Sequence, residues 1–273
     1  MNYGLCTSLL AEQRLNSHVL DKMLAAGLRD FEIMAARQHL DYHDLNHVRD
    51  VAQWFSDHAV SLHSLHAPLF SDWNWGKEGG LLISVASPER RARIASMDEI
   101  KRAIEVAERL PYSYLVLHLG VPGEEYDLRK FDAAFTSVEH LKIFAKERGV
   151  QILLENIPSE LSAPERMLAF FQYTRLDLKV CFDTGHAHMT GGVQAAFRTL
   201  RERIAAIHLH DNHGEKDEHL LPFEGEIDWA QTIRDFRSAG IQFPLLFEVN
   251  SERHEPGILA RLPKVIARLE EVP

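Results

Sequence analysis

The sequence predicts an α/β protein, a single (β/α)8 TIM barrel occupying residues 1–273, and three observations carry that prediction. Eight short apolar runs alternate with longer segments of helical period, the pattern of repeated strand–helix units around a parallel sheet. The eight pairs fill the chain with no linker, low-complexity tract or second domain between them. No Gly-rich phosphate turn follows the first run, as a doubly wound dinucleotide-binding sheet would require.

In order, the runs fall at 3–7, 30–34, 60–65, 114–119, 150–154, 178–182, 204–209 and 244–249. They are built largely from Val, Ile, Leu and Phe and are short enough for strands buried on both faces. The helical segments fall at 17–26, 45–56, 97–110, 131–148, 164–173, 192–203, 228–239 and 256–270. Pro164 and Glu165 suit the first turn of the fifth, where a missing N–H and a negative charge are both accommodated. Asp228 can cap the seventh, and Gly149 and Gly240 stand where helices stop in the left-handed region. The one long connection, 67–87, carries Trp73 and Trp75 among three glycines, and connections of that length are often lids or binding loops.

Composition narrows the function. The chain has 30 Lys+Arg against 40 Asp+Glu, a formal net charge of −10, with 45% hydrophobic residues. That charge argues against nucleic acid as a partner, because such binding draws on Lys and Arg displacing counterions. Arg90, Arg91 and Arg93 read as a solvated helix face. Cys6 and Cys181 are too few for a disulfide framework and imply a reducing compartment. The first residues lack the basic flank and apolar stretch of a signal peptide, and no run reaches the roughly 18 residues of a membrane span. The expectation is a cytoplasmic protein without membrane contact, and apolar residues in the outer helices would permit a homo-oligomer.

The chemistry is legible at the ends of the runs, since the C-terminal ends of barrel strands converge on one mouth. The third run ends in SLHAP with His66, the fourth in VLHLG with His118 and the fifth in LLENIP with Glu155. The sixth ends in CFDTGHAH with Asp183 and His186, the seventh in IHLHDN with His208 and the eighth in LLFEVN with Glu248. So many carboxylates around one mouth would repel one another unless a cation compensated, which points to a divalent metal. Imidazoles mixed with carboxylates suit Zn or Mn first, then Co or Fe, and Mg less well.

These motifs together resemble the xylose-isomerase-like TIM-barrel superfamily: HAP at His66, ExxP from Glu155, DTGHAH from Asp183, HxxD from His208 and FE at Glu248. That superfamily contains sugar and sugar-phosphate isomerases and epimerases alongside endonuclease IV-type enzymes. Position by position, the resemblance implies a metal set of Glu155, Asp183, His208 and Glu248 for the isomerase branch. The endonuclease-like branch holds up to three zinc ions, and its further ligand positions match His66, His118, His186, Asp217 and His219. The segment KDEHLLPFEGEIDW supplies the last pair. The fourth strand departs from that branch, reading HLGVP where an HPG-type sequence is expected, and no basic DNA-contacting loop is evident.

The favoured expectation is a metal-dependent isomerase or epimerase acting on a small polyhydroxy substrate, a sugar, sugar phosphate or inosose. Glu155 and Glu248 would be its paired acid and base, transferring a proton beside a metal-polarised carbonyl through an enediolate. His188, Trp73, Trp75 and Arg253 are the candidate substrate contacts, with His254 beside Arg253. The alternative is a multinuclear-zinc phosphoester hydrolase in which Glu155 bridges metal ions. A catalytically silent binding barrel is disfavoured, because it has no need of both acids.

Overall fold

The computed structural model describes residues 1–77, 79–249 and 257–273. Eight parallel strands close into a barrel: β1 (Tyr3–Cys6), β2 (Asp30–Met34), β3 (Ser61–His66), β4 (Tyr114–His118), β5 (Gln151–Glu155), β6 (Lys179–Asp183), β7 (Ile204–Leu209) and β8 (Leu245–Phe247). Each pairs in parallel with the next, and β8 closes on β1 through Tyr3↔Leu245, Gly4↔Leu246 and Leu5↔Phe247. The helices are α1 (Ser17–Ala25), α2 (Leu45–Asp57), α3 (Arg90–Glu105), α4 (Leu128–Lys146), α5 (Pro164–Thr174), α6 (Thr184–Met189), α7 (Val193–Leu200), α8 (Trp229–Ser238) and α9 (Ile258–Glu270). No described helix is long and apolar enough to cross a membrane.

The two-residue period of a strand decides what each side chain meets. Leu5, Phe31, Ile33, Leu65, Leu115, Leu117, Ile152, Leu154, Val180, Phe182, Ile207, Leu209, Leu245 and Phe247 belong to the large core shared with the helices. The alternate positions form the inner face. There Val116, Leu153, Cys181 and Ala206 make a separate small apolar cluster. Two residues further along the same strands, on the same face, stand His118, Glu155, Asp183 and His208. The apolar plug therefore lies directly beneath the polar mouth and keeps bulk water from reaching it from below.

Helix signals behave as their chemistry demands, with a few displacements. Asp228 caps α8 by accepting from Gln231 N, and Pro164 opens α5. Helix α3 starts at Arg90, seven residues before the expected 97, because the Glu89 carboxylate caps Arg91 N and Ala92 N. Its first turns are polar and mostly exposed, so apolar periodicity did not reveal them. The short α6 inside DTGHAH was likewise unexpected; Asp183 caps it by accepting from His186 N at 2.7 Å. The 67–87 connection is partly ordered by a Phe70↔Leu82 bridge and by Asp72, which accepts from Gly76 N and Gly80 N.

One buried histidine outside the donor groups sets a pH dependence. His39 is fully buried; its Nδ1–H donates to the Gln13 carbonyl at 2.6 Å and its Nε2 has no hydrogen-bond partner. Burial pushes it down from 6.5 to about 4, opposed by the Gln13 bond and reinforced by His47. The folded value lies below the unfolded one, so the neutral ring's contribution is complete above pH 6.5 and is lost as pH falls toward 4. The stability gap between wild type and His39→Gln should therefore narrow by about 2 kcal/mol from pH 7 to pH 5. A gap measured by denaturant titration that stays constant over that range would refute the buried neutral ring.

Candidate metal centre

The strand ends deliver the expected side chains to one place. His66, His118, Glu155 and Asp183 are the last residues of β3, β4, β5 and β6; His208 is the penultimate residue of β7, and Glu248 immediately follows β8. All are buried except His118, which is partly exposed. His186 comes from α6, while Asp217 and His219 come from the loop after β7. An Asp211↔Leu220 bridge turns that loop back over the mouth.

Four groups of donors occur among the described residues, each with its ligand atoms within 4.8 Å of one another: Cys6, Glu32 and Glu248, and three built on the expected ligands. Of these three, the first is His66, His118 and Glu155, the second Glu155, Asp183, His208 and Glu248, and the third His186, Asp217 and His219 joined by His210. Glu155 belongs to two of them. Its Oε2 faces His66 Nε2 at 3.3 Å and His118 Nε2 at 3.2 Å, while its Oε1 faces His186 Nδ1 at 3.1 Å and His208 Nδ1 at 3.6 Å. His208 Nδ1 also lies 2.9 Å from Glu248 and 3.9 Å from Asp183. In the third group, Asp217 Oδ2 is 3.2 Å from both His186 Nε2 and His219 Nε2.

Neighbouring groups fix which ring nitrogen faces inward. A carbonyl only accepts, so His66 Nδ1–H donates to Ala67 O at 2.9 Å and His219 Nδ1–H to Glu248 O at 2.8 Å. In both rings Nε2 is left to face the carboxylates. His208 is held from behind by Glu32, a fully buried acid of β2 whose carboxylate lies 3.0 Å from His208 Nε2 and accepts the Ser64 hydroxyl at 2.6 Å. Asp183 is fixed along the backbone by Asn156, which accepts from Asp183 N and donates to Asp183 O, each at 2.9 Å. Asp211 anchors the 211–229 loop by accepting from Asn212 N, Phe223 N, Ile227 N and Trp229 Nε1.

The electrostatics follow from burying Glu32, Glu155, Asp183 and Glu248 together, with the exposed Asp217 at their edge. Burial raises the Glu155 carboxyl, but His118, His186 and His208 outweigh it and hold the group well below the ordinary range. Glu248, Glu32 and Asp217 are likewise held down by their imidazole neighbours against burial. Burial lowers His66 and His219, yet Glu155 and Asp217 respectively push them up to about 9. His186 and His208 are raised well above the usual value by the surrounding acids, whereas burial keeps His118 low. Positive charge at the mouth therefore rests on imidazoles. Both Glu155 oxygens, Asp183 Oδ2, His186 Nδ1 and His208 Nδ1 are buried without a hydrogen bond of good geometry. Such a set of inward lone pairs fits divalent ions, which satisfy every one of them.

A cavity of about 760 Å³ opens onto the centre, its lining including His66, His118, Glu155, His186, Asp217, Glu218, His219 and Glu248. The facing wall includes Ala11, Met34, Leu69, Trp75 and Val249, with Gln38, Glu12 and Lys77 toward the rim. Trp75 is on that wall, in the left-handed region at φ 50°. Trp73 is not: it lies between the Arg14 and Arg37 guanidinium groups, each 5.9 Å from its ring centre. His188 also stands off the wall, its Nδ1 2.8 Å from Asn212 Oδ1, because α6 turns it toward the loop after β7. Arg253 and His254 fall outside the described residues. Sequence reasoning missed Glu32 and His210. Both had a signal, an acid inside the apolar run DFEIM and a second histidine two residues after His208 on the same strand face.

Residues 20–269 match the family described as xylose isomerase-like TIM barrel. An uncharacterized protein, y4fM, of Sinorhizobium fredii is 29% identical over 194 residues, 66% of this chain and 62% of its own length. A probable endonuclease 4 of Natronomonas pharaonis is 27% identical over 179 residues, 57% of this chain and 62% of its own. The chain thus spans under two thirds of these relatives. A solved D-tagatose 3-epimerase-like protein superposes with a TM-score of 0.80 at 23% identity over 99% of both chains. The IOLI protein, solved with a zinc atom, does so at 0.75 and 17% over 99% of this chain and 96% of that one. At these identities the superpositions speak for the fold.

The Glu32–His208 contact generates a test. Glu32→Gln removes the carboxylate that orients the ring and strengthens its basicity, so divalent-metal affinity should fall roughly 10- to 100-fold. Competition against a chromophoric chelator measures it, and an unchanged affinity would show that Glu32 plays no part in the centre.

Proposed function

The chain belongs to the xylose isomerase-like TIM-barrel family, and from that premise we propose that it is a divalent-metal-dependent enzyme with a multinuclear centre that hydrolyses a phosphoester on a small, non-polymeric substrate. The observation that carries this reading is the double engagement of Glu155. One oxygen faces His66 and His118 and the other faces His186 of the third group and His208 of the second, which is the disposition of a bridging carboxylate. His66, His118, Asp217 and His219 are superfluous to a single-ion site.

Charge supports the same conclusion. One divalent ion would leave the carboxylates of Glu32, Glu155, Asp183, Asp217 and Glu248 in large excess, and an anionic substrate would be repelled. Three ions more than balance them. Zn or Mn is the best match to this imidazole-rich donor set, and the zinc-containing neighbour supports zinc. Bound there, the ions supply positive charge to phosphoryl oxygens as negative charge builds on them. The protein's own residues do the positioning: Glu155 fixes the spacing of two donor groups, Glu248 and Asp183 complete the second, and the wall of Met34, Leu69 and Trp75 excludes water opposite them. Lys77 is the only Lys or Arg among the described lining residues, and a cavity of about 760 Å³ admits a small molecule rather than a duplex. Nucleic acid as substrate is therefore disfavoured.

A second reading, an isomerase or epimerase transferring a proton beside a carbonyl, has its own support. Glu155, Asp183, His208 and Glu248 form a compact group that serves a single ion, and a close structural neighbour is named as epimerase-like. The two readings predict different products. Protein purified with zinc should contain two or three ions per chain by elemental analysis, release phosphate from small phosphoesters and incorporate no solvent deuterium into substrate carbon. A single ion with deuterium incorporation would instead establish the isomerase. Glu155→Gln should lower turnover at least about 100-fold with its melting temperature little changed, and full activity in that variant would eliminate both readings.

A further inference from the structure

His210 stands within the third donor group. It is fully buried, and neither of its ring nitrogens has a hydrogen-bond partner. Its Nε2 lies 3.8 Å from Asp217 Oδ1 and 2.9 Å from Asp183 Oδ1. Its ring stacks on His219 with centres 4.0 Å apart and meets the edge of His186 at 5.4 Å.

The local fold is arranged around that ring. Thr184 Oγ1 accepts from His210 N at 3.2 Å and donates to His210 O at 2.9 Å, which fixes the backbone. A Cβ at Gly185 would sit 2.0 Å from His210 Cε1 and 2.6 Å from Nε2, so the glycine of DTGHAH is what makes room for the imidazole. Asp183 does not need His210 for support. Its Oδ1 already accepts from His186 N, and Asn156 holds its backbone on both sides.

We propose that His210 is a fourth protein donor to the ion held by His186, Asp217 and His219. The inference rests on the multinuclear reading above. Four-donor sites supplied wholly by protein are the structural kind, whereas three-donor sites keep a position for substrate or water. The group His66, His118 and Glu155 has three donors, and both it and the third group line the cavity. An ion in the third group would tie the loop carrying Asp217 and His219 to α6.

The test compares zinc-loaded wild type, Asp217→Asn, His210→Phe and the double variant by metal count and by the rate of metal removal under a chelator. His210→Phe keeps an aromatic ring to stack on His219 while deleting the nitrogens, and His210→Asn serves as a second variant, with circular dichroism melts reporting the fold. Wild type should retain one slowly exchanging ion per chain. Each single variant should lose that ion at least about tenfold faster, and the double variant should lose nothing more than Asp217→Asn alone. The visible absorption of cobalt-substituted protein should weaken in step. If His210→Phe and His210→Asn keep the Asp217-dependent ion at the wild-type rate, or the double variant loses a further ion, His210 is not its ligand, while the multinuclear reading stands. A wild type that holds one ion, retained in Asp217→Asn, overturns both.

Discussion

The structure depends on the burial of four carboxylates, Glu32, Glu155, Asp183 and Glu248, around one barrel mouth, with Glu155 at their centre. Glu155 is fully buried, and neither of its oxygens has a hydrogen bond of good geometry. In a low-dielectric interior such a group persists only if positive charge stands within a few ångströms on each side. The imidazoles of His66, His118, His186 and His208 provide that proximity. Divalent ions would provide it more fully, since each brings two charges and takes up several lone pairs at once. The excess of histidines at the strand ends is the counterpart of the excess of acids.

Holding these groups in register is the task of elements that never touch a ligand. The separate cluster of Val116, Leu153, Cys181 and Ala206 closes the barrel beneath the mouth with small side chains. Glu32 reaches His208 from the second strand while His208 comes from the seventh, so opposite walls of the barrel brace one imidazole. Asp211, by gathering three backbone N–H groups of its loop and the Trp229 indole, makes the 211–229 loop a rigid arm. That arm presents Asp217 and His219, the latter with φ at 50°, a conformation a histidine adopts only where its surroundings impose it.

Much of this was readable because strand parity and strand ends are written in the sequence. Once the eight runs are placed, His118, Glu155, Asp183 and His208 must share the inner face with the apolar residues two positions before them. What stayed hidden follows from the same physics. Glu32 lies inside a run rather than at its end, and a search of termini passes over it although its parity is inward. Helix α3 begins with RRARIAS, whose exposure erases the apolar stripe that marks a helix, leaving only Glu89 as a sign. His188 sits in the DTGHAH motif and Trp73 in the long 67–87 connection, yet neither lines the cavity. Their orientation is set by α6 and by the two arginines, neither of which a one-dimensional pattern encodes.

The contrast between the two sides of Glu155 bears on how such a barrel divides its work. On the His66–His118 side the donors are few; on the Asp217–His219 side they are crowded, stacked and supported by a loop with its own anchor, and the cavity adjoins both. Rigidity and access oppose one another, because each additional protein donor removes a position that substrate or water would fill. A carboxylate placed between the two groups, as Glu155 is, joins a crowded region to a sparser one without merging them. The apolar wall opposite, with Trp75 held in the left-handed region, then sets the size and shape of what enters. The acidic surface, at a formal net charge of −10, supplies no long-range attraction for a polyanion. Selection thus falls to the cavity, and the chemistry to the charges gathered at Glu155.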